Sequence, residues 1–326
     1  MNKITKAALK AVLYPLFWRY VSMPGKSFKG RPVQLTGDQL ALQAALTARI
    51  EALSTTIGIR HHNHGSSLST AATHIQTSFE ELGFKPFVQQ FEFKGTPMHN
   101  IGVIIPGRNK AAKWVVAGAH YDTVPTTPGA DDNASGVAAL LELAKRLKDT
   151  NPERTICLCA YANEEHNGGA WENMGSYAHA RSLKEQGIEV EGMISLEMLG
   201  YFSQEEGSQK YPFPFNLFYP TKGNFIGFVA NTDSADFVRY CIEQFRLVAT
   251  VPSEGTAAPE KFGDIGRSDH WAFWRHGWPA FMLTDTSNFR TPYVHTMQDT
   301  IDTLDLDSMT RVVVGIEAVI LKLANR

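Results

Sequence analysis

The stretch WVVAGAHYDT at 114–123, followed by GADDNASG at 129–136, decides how the chain reads. Trp114 to Ala119 is an unbroken apolar run, the pattern of a strand buried on both faces. It ends on His120 and Asp122, and Asp131 and Asp132 come just before a stretch of helical spacing at 134–147, with Val137, Leu140, Leu141, Ala144 and Leu147 on one side. Working outward, Thr155–Ala162 and Met193–Met198 are further apolar runs, and Pro279–Thr284 is another. Helices are expected at 174–186 (closed by Gly187), 234–245, 268–276 and 306–323. Strands alternating with helices predict an α/β fold: a single domain with a mostly parallel mixed sheet and helices on both faces.

Upstream, helical spacing marks 41–53 and 68–82, the second stopped by Gly83. Residues 87–93 and 100–105 read as a hairpin, and 216–219 with 225–230 as a further strand. Residues 22–37, rich in Gly, Pro and Lys, read as a linker. The expected division is therefore an N-terminal segment and linker over 1–37 and one main domain over 38–326. Ala7–Trp18 is apolar but interrupted by Lys10 and Pro15, and no small-residue cleavage site follows. Spanning a bilayer takes about 20 apolar residues. An amphipathic helix, packed on the domain or lying loosely, is the expectation. A poor signal peptide or a membrane-surface contact through residues 1–20 is the alternative, so the compartment stays open between cytoplasm, membrane surface and export.

The chain has 326 residues, 43% hydrophobic and 20% charged, enough to bury a sizeable core. A net charge of −2 with no basic stripe argues against nucleic acid as a partner. The three cysteines, Cys157, Cys159 and Cys241, form no disulfide framework. The first two, two apart in an expected strand, share a face and read as core.

In parallel sheets ligands bind beyond the carboxyl ends of the strands. His120, Glu164, Glu165 and Glu197 stand where three expected strands end. His120 offers one ring nitrogen to a cation while Asp122 accepts from the other. Asp131 and Asp132 either cap the helix that follows or supply a carboxylate bridging two cations. Glu164 and Glu165 are adjacent on an extended segment and point different ways, so one can hold a cation while the other handles protons. Glu197 ends a buried strand, where an unpaired carboxylate costs several kcal/mol and a cation is the economical explanation. His295, in YVHTMQDT at 293–300, completes the set of hard oxygen and borderline nitrogen donors.

Taken in order, these motifs resemble the di-zinc metallo-aminopeptidases that include bacterial leucyl aminopeptidase and aminopeptidase Y. The family pattern of His-x-Asp, Gly-Ala-Asp-Asp-x-x-Ser-Gly, Glu-Glu, a strand-end acid, Ser-Asp-His and His-Thr-x-x-Asp-Thr is met at 120–122, 129–136, 164–165, 197, 268–270 and 295–300. The resemblance covers about residues 40 to 326 and implies a zinc-exopeptidase-like sandwich. It implies two zinc ions per chain: one held by His120, Asp132 and Glu197, the other by Asp132, Glu165 and His295, with Asp132 bridging. Asp122 would orient His120, and Glu164 would be the general base and later the acid. Asp269 and His270 would play a supporting part. Glu197 stands where many relatives have Asp, and a loop-closing cysteine pair of some secreted relatives is missing.

The implied activity is hydrolysis of the N-terminal bond of a peptide with a free N-terminus. A glutaminyl-cyclase-like aminoacyltransferase and a non-catalytic receptor-like relative are the rival expectations. The aromatic loop YPFPFNLFY at 211–219 could line an apolar substrate pocket, pointing to an apolar first residue.

Overall fold

The structure is a computed structural model and describes residues 3–165 and 170–326. Helix α1 (Lys3–Val21) runs through Pro15 without ending. Helix α2 (Gly37–Ile50) starts four residues before the expected point because Thr36 and Gln39 form a reciprocal capping box. Helix α3 (Ser67–Glu81) ends as expected, with Gly83 left-handed at φ 82°.

Strands β1 (Phe87–Phe93) and β2 (Thr96–Ile105) form the antiparallel hairpin. The rest alternates: β3 (Trp114–His120), α4 (Gly136–Leu147), β4 (Ile156–Tyr161), α5 (Gly175–Glu185), β5 (Val190–Glu197), β6 (Ile226–Asn231), α6 (Ala235–Val248), β7 (Ser253–Ala258), α7 (His270–Arg275), β8 (Ala280–Thr284) and α8 (Leu306–Ala324). One eight-stranded sheet results, in the order β1-β2-β4-β3-β5-β8-β6-β7. The central strands β4, β3, β5 and β8 run parallel, while β2 and β6 join them antiparallel.

The apolar runs alternate between two cores, as strand geometry requires. Val115, Ala117 and Ala119 pack under α2, α3, α4, α6 and α8. Val116, Cys157 and Cys159 face α5 and α7 on the other side. The two cysteines share a face, and all three are buried and free.

Two strand expectations need correcting. Residues 216–219 are not a strand; Phe215–Leu217 is a short 3-10 turn in a proline-punctuated loop. Strand β7 escaped notice because SEGTAA carries little β-branched or aromatic character; it is held at the edge by pairing with β6 and by the α1 helix over it. Phe17 of α1 stacks on Phe218, with ring centroids 5.7 Å apart, so this helix packs on the domain. Among the described residues, no helix is long and apolar enough to cross a membrane.

Candidate metal centre

Parallel β3, β4 and β5 all point their carboxyl ends one way, and the acidic residues collect there. His120 closes β3 and Glu197 closes β5. Asp132 comes up from the loop before α4, where Gly129 sits at φ 61°. A Cβ at Gly129 would overlap the Asp132 carbonyl oxygen, so only glycine lets the loop fold tightly enough to present the carboxylate. Glu165 follows β4, and His295 lies on the loop after β8 with φ 60°.

These five side chains form two groups of three that share Asp132: His120, Asp132 and Glu197, and Asp132, Glu165 and His295. Within each group, the candidate ligand atoms all lie within 4.8 Å of one another. Asp132 faces both ways. Its Oδ1 lies 3.3 Å from His120 Nε2, and its Oδ2 lies 3.2 Å from His295 Nε2. His120 Nε2 is also 3.3 Å from Glu197 Oε2, and His295 Nε2 is 2.8 Å from Glu165 Oε1.

Supporting contacts fix each donor. His120 Nδ1 sits 3.1 Å from the Asp122 carbonyl oxygen and 3.6 Å from its carboxylate, which turns Nε2 toward the centre. The Asp122 carboxylate itself accepts the backbone N–H groups of Glu164 and Glu165, at 3.1 and 2.9 Å, so it also sets the position of the glutamate pair. The Ser268 hydroxyl donates to Glu197 Oε2 at 2.7 Å. Asp299 accepts the N–H groups of Asp131 and Asp132, at 2.8 and 3.1 Å, tying the His-Thr-x-x-Asp segment to the shared carboxylate.

Asp131 caps no helix; its Oδ1 accepts from Gly200 N–H at 2.9 Å. Beneath the centre Arg60 is fully buried, with its guanidinium donating to the carbonyls of Leu53, Gly58, Tyr121, Pro128 and Gly129. Neither Arg60 nor the Ser268 and Asp299 contacts stood out in the sequence. Asp269 and His270 are buried beside the centre, and His270 Nε2 meets the Ile265 carbonyl at 2.7 Å.

The electrostatics show a site short of positive charge. Burial pushes Glu164 well above the usual carboxylate range, and Glu165 up to about 7, with Asp132 adding to the second shift. Burial likewise raises Asp269 to about 7. Hydrogen bonds to Asp132 and Glu165 push His295 up to about 10. Burial works against charge on His120, but Glu197, Asp122 and Asp132 outweigh it and raise the imidazole well above its ordinary value. Protons on imidazoles and carboxyls thus take the place of cations. Asp132 Oδ1 is buried without a hydrogen-bond donor. Two imidazoles and three carboxylates, one of them the shared Asp132, suit two borderline divalent ions.

Residues 100–320 match peptidase family M28. The chain belongs to that family. M28 is a family of peptide hydrolases, and this member is 34% identical over 280 residues to the uncharacterized protein YfbL of Escherichia coli K12, covering 83% of this chain and 85% of that one. It is 32% identical over 229 residues to a probable leucine aminopeptidase 1 of Trichophyton verrucosum, covering 65% of this chain and 54% of that protein, so it spans about half the fungal relative's length. Its fold matches BSAP, a zinc aminopeptidase from Bacillus subtilis, with a TM-score of 0.67 at 17% identity over 87% of this chain and 95% of that one. A glutaminyl cyclase from Porphyromonas gingivalis shares the fold too, with a TM-score of 0.64 at 19% identity over 85% and 97% of the two chains.

Proposed function

We propose that this M28 chain is a zinc-dependent aminopeptidase with two zinc ions per chain, residues 38–326 forming the catalytic domain. The observation that carries the reading is the Asp132 carboxylate, which turns one oxygen to each of two imidazoles and completes a three-residue group on either side. His120, Asp132 and Glu197 would hold one ion, and Asp132, Glu165 and His295 the other. Zinc bound there would lower the pKa of a ligated water and polarise the scissile carbonyl.

The chain's own residues supply the proton handling. Glu164 borders the same cavity as Asp132, Glu165, Glu197 and His295, and it belongs to neither group of three. Its carboxylate takes the proton of the attacking water and passes it to the leaving amide nitrogen. Asp122 acts as a positioning residue, holding His120 on one side and the Glu164–Glu165 backbone on the other. The acidic lining favours the free α-ammonium of a peptide, which sets the first peptide bond against the centre.

Residues 198–294, between Glu197 and His295, supply β6, β7 and β8 of the main sheet, and among the described residues they build no separate domain to grip a C-terminal carboxylate. The presence of both complete groups favours hydrolysis over a one-zinc cyclase, and over a receptor-like relative that has lost its ligands. The test compares leucyl-coumarin amide with its N-acetylated form, with and without added zinc. Zinc-dependent release from the free amine alone is the expected result. Comparable cleavage of the acetylated compound would overturn the aminopeptidase reading.

A further inference from the structure

The cavity of about 410 Å³ that opens at the centre is walled by aromatic rings, among them Tyr211, Phe215, Tyr219 and Phe262. Away from the centre two carboxylates interrupt this apolar lining: Asp264, which Arg267 engages, and Glu254, on β7. Strand register places Glu254. Glu197 of β5 lies opposite Thr284 of β8, Thr284 opposite Gly227 of β6, and Gly227 opposite Glu254. The four residues form one row across the sheet, and residues in register point to the same face. All four border the cavity. Strands lie about 4.8 Å apart, so three steps put Glu254 about 14 Å from Glu197, backbone to backbone. Between them Gly227 adds no side chain, which leaves the floor open.

Among the described residues, no hydrogen bond or ion pair reaches the Glu254 carboxylate, although Arg246 and Lys29 are near enough to be felt electrostatically. Arg246 is turned away: its guanidinium donates to the carbonyls of Met23, Pro24, Gly25 and Ser253 and to the Ser253 hydroxyl. On the cavity wall itself Arg267 engages Asp264 and Asn288 at the rim. Burial raises the Glu254 carboxyl above its ordinary value, the mark of a group short of partners.

We propose that Glu254 selects substrates whose first residue carries a long cationic side chain, lysine or arginine, by pairing with the ammonium or guanidinium at the far end of the cavity. This rests on the aminopeptidase reading above. The aliphatic stem of either residue packs along the aromatic wall while the charged head reaches the carboxylate, as such side chains do on mixed surfaces. A short apolar residue fills the near part of the cavity and leaves Glu254 unpaired.

The experiment measures kcat/KM of the zinc-loaded full chain on the coumarin amides of lysine, arginine, leucine and norleucine. Norleucine has nearly the lysine stem without its charge. Lysine and arginine are expected to exceed norleucine by about 10-fold or more. Glu254→Gln should shrink that ratio by about 10- to 100-fold, the scale of a charge-assisted hydrogen bond, while Glu254→Asp should keep part of it. A wild-type preference for leucine or norleucine overturns the proposal. So does a Glu254→Gln variant that slows all four substrates by one factor, which is what a structural defect does. Turnover of norleucine with lysine refused sinks the role of Glu254 alone. Refusal of all four amides, with acetylated peptides cleaved, sinks the aminopeptidase reading and this inference with it.

Discussion

The two groups that share Asp132 are built from different material. The side chain of His120 is 0% exposed and that of Glu197 10%, and both sit on strands held in the middle of the sheet. On the other side the His295 side chain is 43% exposed, and both His295 and Glu165 hang on loops. The closed group is fixed by the Asp122 carbonyl behind His120 and by the Ser268 hydroxyl on Glu197. The open group faces the cavity entrance and is held through the Asp122 carboxylate, which fixes the Glu165 N–H. A shared carboxylate therefore joins a rigid, dry site to an accessible one. Two ions in these places would differ in affinity and exchange rate although their donor types are nearly the same.

The strongest challenge to that asymmetry is Asp132→Asn. It removes the charge of the bridging carboxylate from both groups at once, so metal content should fall on both sides together and turnover should approach background. Elemental analysis showing loss of one ion with the other retained at full occupancy would break the bridged arrangement. Next comes the pair of adjacent glutamates. Glu164→Gln should keep about two ions and lose roughly 100-fold or more in kcat, the scale for removing a general acid–base. Glu165→Gln should lose the ion of the open group alone, leaving about one per chain. Metal stripped by the Glu164 change and kept after the Glu165 change would reverse the assignment.

Acid opposes metal binding on both sides, because both imidazoles are raised above their ordinary value. With the metals removed, hydrogen bonds to Asp132 and Glu165 keep His295 protonated up to about pH 10. A raised imidazole pKa stabilises the metal-free chain fully below about pH 6.5, and the contribution is lost as pH rises through 10. A cation entering the open group must displace that proton, so its apparent affinity should drop about tenfold for each unit of pH lowered below 10, per proton displaced. Calorimetric titration of the metal-free chain with zinc in buffers of different ionisation enthalpy reads the proton count directly. Binding with no proton release at neutral pH would contradict the charge state of the open group. Timed chelation at neutral pH should likewise remove the exposed ion first.

How much of this was legible in the sequence depends on the range of the interaction. Parallel strands buried on both faces are continuous apolar runs, so β3, β4, β5 and β8 announced themselves. An edge strand such as Ser253–Ala258 has neither that run nor strong alternation, and only pairing with β6 makes it a strand. The aromatic loop misled at 216–219 because ring-rich composition mimics a strand, while Pro212 and Pro214 turn the chain instead. The ligand-type residues could be grouped because they all stand at strand ends. Their supports could not: Arg60 reaches Tyr121, Ser268 reaches Glu197 and Asp299 reaches Asp131 across 61 to 168 positions. Ser-Asp-His at 268–270 marked the neighbourhood, but nothing in it told that the serine, more than the acid beside it, touches Glu197.

That serine gives the smallest and most selective test. Ser268→Ala removes the one hydroxyl that donates to Glu197 Oε2, and it also frees Ser195, whose Oγ lies 2.9 Å from that of Ser268. Glu197 then has one contact fewer to hold its rotamer. Losing such a supporting hydrogen bond typically costs 10- to 100-fold in metal affinity. The lower end is expected here, because His120 and Asp132 stay in place and the β5 backbone is fixed by β3 and β8. Zinc affinity of the closed group should fall about 10-fold while that of the open group stays within a factor of two, read by competition with a chromophoric chelator. Equal weakening of both ions would mean that the serine acts through the whole loop rather than on Glu197. It would also mean that the two halves are more tightly coupled than their unequal burial suggests.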